Sequence, residues 1–248
     1  MKNRSVAIIP SRLESSRLPN KALKLIEGIP LVIHVLKRCQ LSKYLEDVYV
    51  ATDSNEIADT VKTWGGEVIM TSKDHQTGTD RIAEACKEIA ADIIINVQGD
   101  EALLNPEHID NLCKVMESDD SILISILVNK FYKKNSPSDV KVVLNEMNEV
   151  MYFSREDIPS YSRSSEHQML KAYHIVPFRK EFLLKYASWE PTELEKIEFN
   201  EYVRVLEKGY KIRAIEVESS AVSVDTEEDL EVVSKLIKED PFLKFYKN

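Results

Sequence analysis

A chain of 248 residues with a formal net charge of −9 is long enough to bury a core without staples. That charge argues against a general binder of nucleic acid or of anionic membranes, but not against an anionic small substrate met by local cations. Three cysteines without a C-x-x-C pair, an N-terminal apolar run too short for a signal peptide and the lack of any membrane-length apolar stretch predict a soluble chain of a reducing, cytoplasmic compartment.

Val6-Ala7-Ile8-Ile9 has the length of a buried strand, and Pro10 is expected to stop it. The polar loop that follows carries Arg12, Arg17 and Lys21, with Ser11, Ser15 and Ser16 between them. Fixed cations at the carboxyl end of a first strand suit a polyphosphate, because ligands of open α/β sheets sit there. Composition alone favours a solvated basic loop.

Further along, Pro30–Leu41 and Asn55–Trp64 show helical spacing, while Asp47–Thr52 and Glu67–Met70 read as strands. A loop over Thr71–Thr79 leads to a helix from about Asp80 to Ile89. Asp92–Val97 is nearly all apolar, as a central parallel strand should be. After Gln98 the pattern changes. Pro106–Met116 is helical, but Ile122–Val128, Val140–Leu144 and Val150–Phe153 follow as strands without long helices between them. Phe178–Tyr186, Glu193–Leu206 and Thr226–Lys238 are predicted helical, and Lys211–Val217 a late strand. No internal repeat, low-complexity tract or linker is visible. The prediction is one domain over 1–248, a three-layer α/β/α fold on a mixed, mostly parallel sheet, with a β-rich excursion at about 122–178.

Two acidic segments could carry chemistry. Asn96–Glu101 sets Asp100 and Glu101 just past the most buried strand, where a carboxylate can hold Mg²⁺ beside substrate phosphates; Gly99-Asp100 is also simply a good turn. Val222–Leu230 reads as a helix start with Asp225 or Thr226 as N-cap. His75–Arg81 opens a helix, so its backbone N–H groups and Arg81 can meet an anion.

Taken together, these segments resemble the sugar nucleotidyltransferases, most closely the 3-deoxy-manno-octulosonate cytidylyltransferase (CMP-KDO synthetase) family. The family's I-I-P-A-R-x-x-S-x-R-L-P-x-K-x-L is matched by Ile8, Ile9, Pro10, Arg12, Ser15, Arg17, Leu18, Pro19, Lys21 and Leu23, with Ser11 for Ala. Its N-V-Q-G-D-E-P is matched over Asn96–Glu101, with Ala102 for Pro. Its H-x-S-G-T-x-R is matched with Thr77 for Ser, and its V-D-T-P-E-D-L resembles the segment at Asp225. V-K-V-V and Y-F-S-R correspond to Val140–Val143 and Tyr152–Arg155. The likeness runs from about Val6 to Leu236 and implies a sheet of nucleotide-diphospho-sugar transferase (GT-A-like) type.

The resemblance implies Asp100 and Asp225 as Mg²⁺ ligands, and Arg12, Lys21 and Arg81 as partners of the triphosphate, with Arg17 either there or holding the loop. Pro10, Ser11, Thr77, Gly78 and Gln98 complete the nucleotide site. Arg155 either forks the carboxylate of an acidic sugar or makes a structural ion pair. The acceptor side departs from the pattern. In the family's H-L-G-x-Y stretch, Ala172, His174 and Val176 replace His, Gly and Tyr. The later helix keeps Glu195, Glu198, Glu201 and Arg204 but has Tyr202 for Gln; His174 and Tyr202 supply new contacts or pack the core. The implied reaction joins CTP to a 3-deoxy-2-ulosonic acid, with 3-deoxy-manno-octulosonate the first choice and another surface-glycan ulosonate close behind. A homodimer, with contact and sugar pocket in the excursion, is carried over from the family.

Two rivals stand on the same sheet: a glycosyltransferase, for which Asp100-Glu101-Ala102 is not the expected Asp-x-Asp, and a non-catalytic nucleotide binder. No G-x-G-x-x-G follows the first strand, which disfavours a dinucleotide enzyme.

Overall fold

Strand β1 (Ser5–Ser11) is buried along its whole length in the computed structural model, which describes residues 3–15, 17–163, 167–218 and 222–247. Lys2 and Ser16 lie outside the described residues. Pro10 does not stop the strand. On one side β1 pairs as far as Ser11 opposite Thr52, whereas on the other its pairing ends at Ile8 opposite Asn96. The Pro10 carbonyl faces Gly99, on that second side. An extended residue points its N–H and C=O the same way, so the donor that proline lacks falls where the ladder has already ended.

A hairpin of β2 (Leu25–Ile26) and β3 (Ile29–Pro30) turns through Glu27 and Gly28, whose φ values of 50° and 81° are those a two-residue turn of this hand needs. Helix α1 (Leu31–Cys39) follows, then β4 (Leu45–Thr52) and α2 (Asn55–Thr63), which Ser54 caps through the Ile57 N–H. The first half ends with β5 (Glu67–Met70), α3 (Gly78–Ala85) and β6 (Ile93–Val97). Next come α4 (Pro106–Ser118), β7 (Ser125–Phe131), β8 (Lys141–Leu144), β9 (Val150–Ser154), β10 (Met169–Tyr173) and β11 (Ile175–Arg179). The chain closes with α5 (Lys180–Ala187), α6 (Glu193–Glu198), α7 (Val203–Glu207), β12 (Arg213–Val217) and α8 (Glu227–Leu236).

The architecture is mixed α/β, as expected, but the long strands divide between two five-stranded sheets instead of lying in one. The first runs β11-β6-β1-β4-β5, parallel except for β11. The second runs β12-β7-β10-β8-β9, antiparallel except where β12 meets β7. An isolated bridge from Ile124 to Phe178 ties them together. Alternation along β1 sends Ala7 and Ile9 into a core shared with α1 and α4, and Val6 and Ile8 into one shared with α3 and α5. Each fully buried Val or Ile contributes roughly 1.5–3 kcal/mol, so the floor of the first sheet is its most firmly held part.

Two predicted helices are wrong in detail. Phe178 and Arg179 belong to β11, opposite Ile94 and Ile93, and helix α5 begins only at Lys180. The spacing of Phe178, Phe182 and Tyr186 imitates a helix because strand and helix feed the same core. The predicted Glu193–Leu206 helix breaks at Phe199, whose φ of 51° is left-handed. There Asn200 Oδ1 accepts from the Tyr202 N–H at 3.1 Å and starts the chain in a new direction. Arg204 then folds back onto Glu195 with a two-pronged pair at 2.5 and 2.7 Å.

Candidate active site

Two adjoining clefts open past the carboxyl ends of β1 and β6. The smaller, of about 270 Å³, has Arg12, Arg17 and Lys21 on one wall and Thr77, Gly78 and Arg81 on the other. The larger, of about 770 Å³, lies between the two sheets and shares Arg17, Gln98, Asp100 and Asp225 with the first. Glycine sets the floor of the smaller cleft. A Cβ on Gly99 would lie 3.0 Å from the Pro10 carbonyl, and one on Gly78 3.1 Å from the Pro10 ring, so three loops close up only because both side chains are absent.

Thr77 caps α3 in a reciprocal box with Asp80, at 3.1 and 3.3 Å, so the helix opens directly on the smaller cleft. Arg81 is also in that wall but only 3% exposed, with its guanidinium taken by Thr71 at 2.6 Å and Asp53 at 3.3 Å. It braces the cleft more than it reaches into it. Arg12 is exposed and pairs with no carboxylate among the described residues.

Asp225 is freed from capping by its neighbour. Thr226 is the N-cap of α8 and exchanges bonds with Asp229, which also accepts from the Asp225 N–H at 3.1 Å. The Asp225 carboxylate turns instead to the Arg17 guanidinium at 2.9 Å and the Lys21 ammonium at 3.1 Å. Lys21 also reaches Asp100, at 2.6 Å. Burial works against its charge, but the two carboxylates outweigh burial and raise its pKa above the ordinary lysine value. Next door, Glu101 is 4% exposed, with Ser223 donating to one oxygen at 2.5 Å. Burial first and the Asp100 charge second push its carboxyl up to about 8.

The larger cleft gathers the remaining predicted residues. His174 sits where the chain passes from β10 in one sheet to β11 in the other, and its ring stacks on Tyr202 with centroids 5.9 Å apart. Burial pushes His174 down to about 4 and raises Tyr202, so both are neutral at pH 7. Glu201, also raised by burial, accepts from Thr79 at 2.8 Å, while the Tyr186 hydroxyl donates to its backbone carbonyl at 3.0 Å. Ala172 lines this cleft, but Val176 points into the core. Gln98 stands between the clefts, donating to Asn96 at 2.9 Å.

Arg155 lines the cleft with neither the free fork nor, among the described residues, the ion pair that the sequence left open. Four of its N–H contacts go to the backbone carbonyls of Pro137, Ser138, Glu198 and Phe199 at 2.8–3.2 Å. The two-pronged grip on a carboxylate is not available in this conformation. Sequence reasoning passed over Lys171, which lines the same cleft and pairs with Asp139 at 2.6 Å. Its signal was its place beside Ala172 in the altered stretch.

A Rossmann-like parallel sheet with a cationic loop, a helix N-terminus and two converging carboxylates at its strand ends defines a nucleotidyltransferase-type site. The chain belongs to the cytidylyltransferase family, whose model matches residues 6–212. It is 38% identical over 247 residues to the 3-deoxy-manno-octulosonate cytidylyltransferase of Geotalea daltonii, covering 94% of this chain and 98% of that protein. It is 40% identical over 239 residues to the enzyme of the same name from Fusobacterium nucleatum, covering 95% and 97%. A solved CMP:2-keto-3-deoxy-manno-octonic acid synthetase complexed with CTP superposes with a TM-score of 0.92 at 35% identity, covering 95% of this chain and 99% of that one.

Proposed function

We propose that the protein transfers the cytidylyl group of CTP to 3-deoxy-manno-octulosonate, releasing pyrophosphate. The observation that carries this reading is the convergence of Asp100 and Asp225 on one cation, where a smaller cleft walled by cations meets a larger one lined by His174 and Glu201. The full-length likeness to enzymes of that name supports the choice of substrates.

Mg²⁺ fits the donor set. Hard carboxylate oxygens converge there, and among the described residues no three or more His, Cys, Asp or Glu cluster as a ready-made cage, which suits an ion that keeps water and substrate phosphates as ligands. Bound to Asp100 and Asp225, the ion would lower the pKa of the attacking hydroxyl and offset phosphate charge. Arg12, Arg17 and Lys21 neutralise the triphosphate and the leaving pyrophosphate. Gln98 lines both clefts and so would stand between the two substrates. The wall of His174, Glu201 and Tyr202 would receive the sugar beside the triphosphate cleft, where orienting its 2-hydroxyl favours transfer.

A second acceptor is favoured by that same wall. Burial leaves His174 neutral and stacked on Tyr202, and the Arg155 fork is occupied, so a related ulosonate with a different hydroxyl pattern also fits. Pyrophosphate release measured with CTP and a panel of ulosonates tests both readings. No release with the octulosonate beside good release with another acid removes the narrower one.

We read the chain as one catalytic domain working in the cytoplasm as a homodimer. No helix among the described residues is long and apolar enough to cross a membrane. Tyr132, Met147 and Met151 lie exposed on the β-rich excursion, which supports a contact there. Sedimentation of wild type against Met151→Glu checks it.

A further inference from the structure

The Lys21 ammonium lies where Asp100 and Asp225 converge, at 2.6 and 3.1 Å, and its side chain is 20% exposed. Arg17 adds a second cation on the same Asp225 oxygen, at 2.9 Å. Two carboxylates are therefore met by two fixed positive charges, and the local sum is zero. A divalent cation arriving alone finds a neutralised pair and no third acidic ligand grouped with it among the described residues. To enter, it must break three direct ion pairs, two of them made by Lys21, and shed hydration water, which a small hard cation does reluctantly.

We propose that Lys21 is the resident counter-ion of the Asp100–Asp225 pair, and that its displacement makes the site accept a divalent cation only together with a nucleoside triphosphate. The inference rests on the metal assignment proposed above and deepens it. A triphosphate changes both sides of the exchange. Its oxygens complete the coordination of the cation, and they give the displaced ammonium and the Arg17 guanidinium new anionic partners in the adjoining cleft. Neither ligand offers this alone. Each therefore raises the affinity for the other, and the coupling passes through one side chain. Lys21 thus holds the two acidic loops in register before substrate binds and moves to the phosphates afterwards.

The test is binding of Mn²⁺ without nucleotide or sugar, followed by electron paramagnetic resonance of the free ion. Lys21→Met keeps the length of the side chain and removes its charge. It should bind Mn²⁺ about tenfold or more tightly than wild type, because the two ion pairs of Lys21 are gone and only that of Arg17 with Asp225 is left to break. Lys21→Arg keeps the competitor and should bind as weakly as wild type. Adding Asp225→Asn to Lys21→Met should abolish the gain. Mn²⁺ affinity in Lys21→Met equal to or weaker than in wild type overturns the proposal, as does a gain that survives Asp225→Asn. If Lys21→Met does not fold, Lys21→Gln is read the same way. The titration needs no turnover. Normal pyrophosphate release by wild type beside unchanged Mn²⁺ binding in Lys21→Met removes the exchange alone, whereas tighter binding beside no release from any ulosonate removes the reaction alone.

Discussion

The Val224 N–H donates to the Asp100 carbonyl at 3.1 Å, tying the loop after β6 to the loop before α8 across more than a hundred residues of chain. This backbone bond places the Asp100 and Asp225 side chains on one target whatever their protonation. Charge can therefore be removed from either without dismantling the junction.

Asp100→Asn and Asp225→Asn are each expected to lower turnover about a hundredfold or more, since each removes a hard anionic ligand at the point where phosphate charge develops. Thermal unfolding should change little, because both side chains are partly exposed and the backbone bond remains. Pyrophosphate release and circular-dichroism melts measure the two quantities. Wild-type rates in either variant would remove that carboxylate from the site.

Much of this arrangement is legible in the sequence because it is local. The apolar run of β6, the turn at Gly99 and the capping pattern at Thr226 each announce themselves within a few residues. What is illegible depends on distant partners. Pro10 reads as a strand stop unless the early end of the β1–β6 ladder is known. Glu195, Glu198, Glu201 and Arg204 read as one helical face, but a left-handed Phe199 scatters them. Glu195 takes Arg204, Glu198 takes Tyr152 and Ser154, and Glu201 takes Thr79. Arg155 looks free for a substrate because backbone carbonyls that occupy a guanidinium leave no mark on composition.

The Arg204–Glu195 pair folds α7 against α6 and so supports Glu201 and Tyr202 in the acceptor wall. Both partners are nearly buried, at 3% and 8% exposure. Arg204→Ala leaves a buried carboxylate unpaired and should cost about 3–5 kcal/mol in urea unfolding. At temperatures where the variant is folded, KM for the sugar acid should rise more than KM for CTP.

Cys39, Cys86 and Cys113 are all buried thiols outside any disulfide, and burial pushes the Cys86 thiol up to about 11 and Cys39 higher still. A thiol reagent that needs the thiolate should therefore modify none of them in the native protein and all three in guanidinium. Rapid native labelling would mean that α1, α4 or the end of α3 opens far more readily than its packing implies.

His34 is buried, and in its neutral form its Nε2–H donates to the Ile26 carbonyl at 2.9 Å while Nδ1 accepts from the Tyr246 hydroxyl at 3.1 Å. Burial is the main reason its pKa falls to about 4, and Arg38 and Lys247 oppose its protonation further. The unfolded chain has an ordinary histidine near 6.5, so between 6.5 and 4 it binds a proton that the folded state refuses. Stability contributed by this group is complete above pH 7 and declines as pH falls, by about 2 kcal/mol between pH 7 and pH 5. His174, also held near 4, adds a decline of the same sign. Urea unfolding of His34→Gln should be weaker than wild type at pH 7 but lose less on going to pH 5. An identical pH slope in the two proteins would mean that His34 titrates normally. The C-terminal segment carrying Tyr246 would then not be held by the neutral ring.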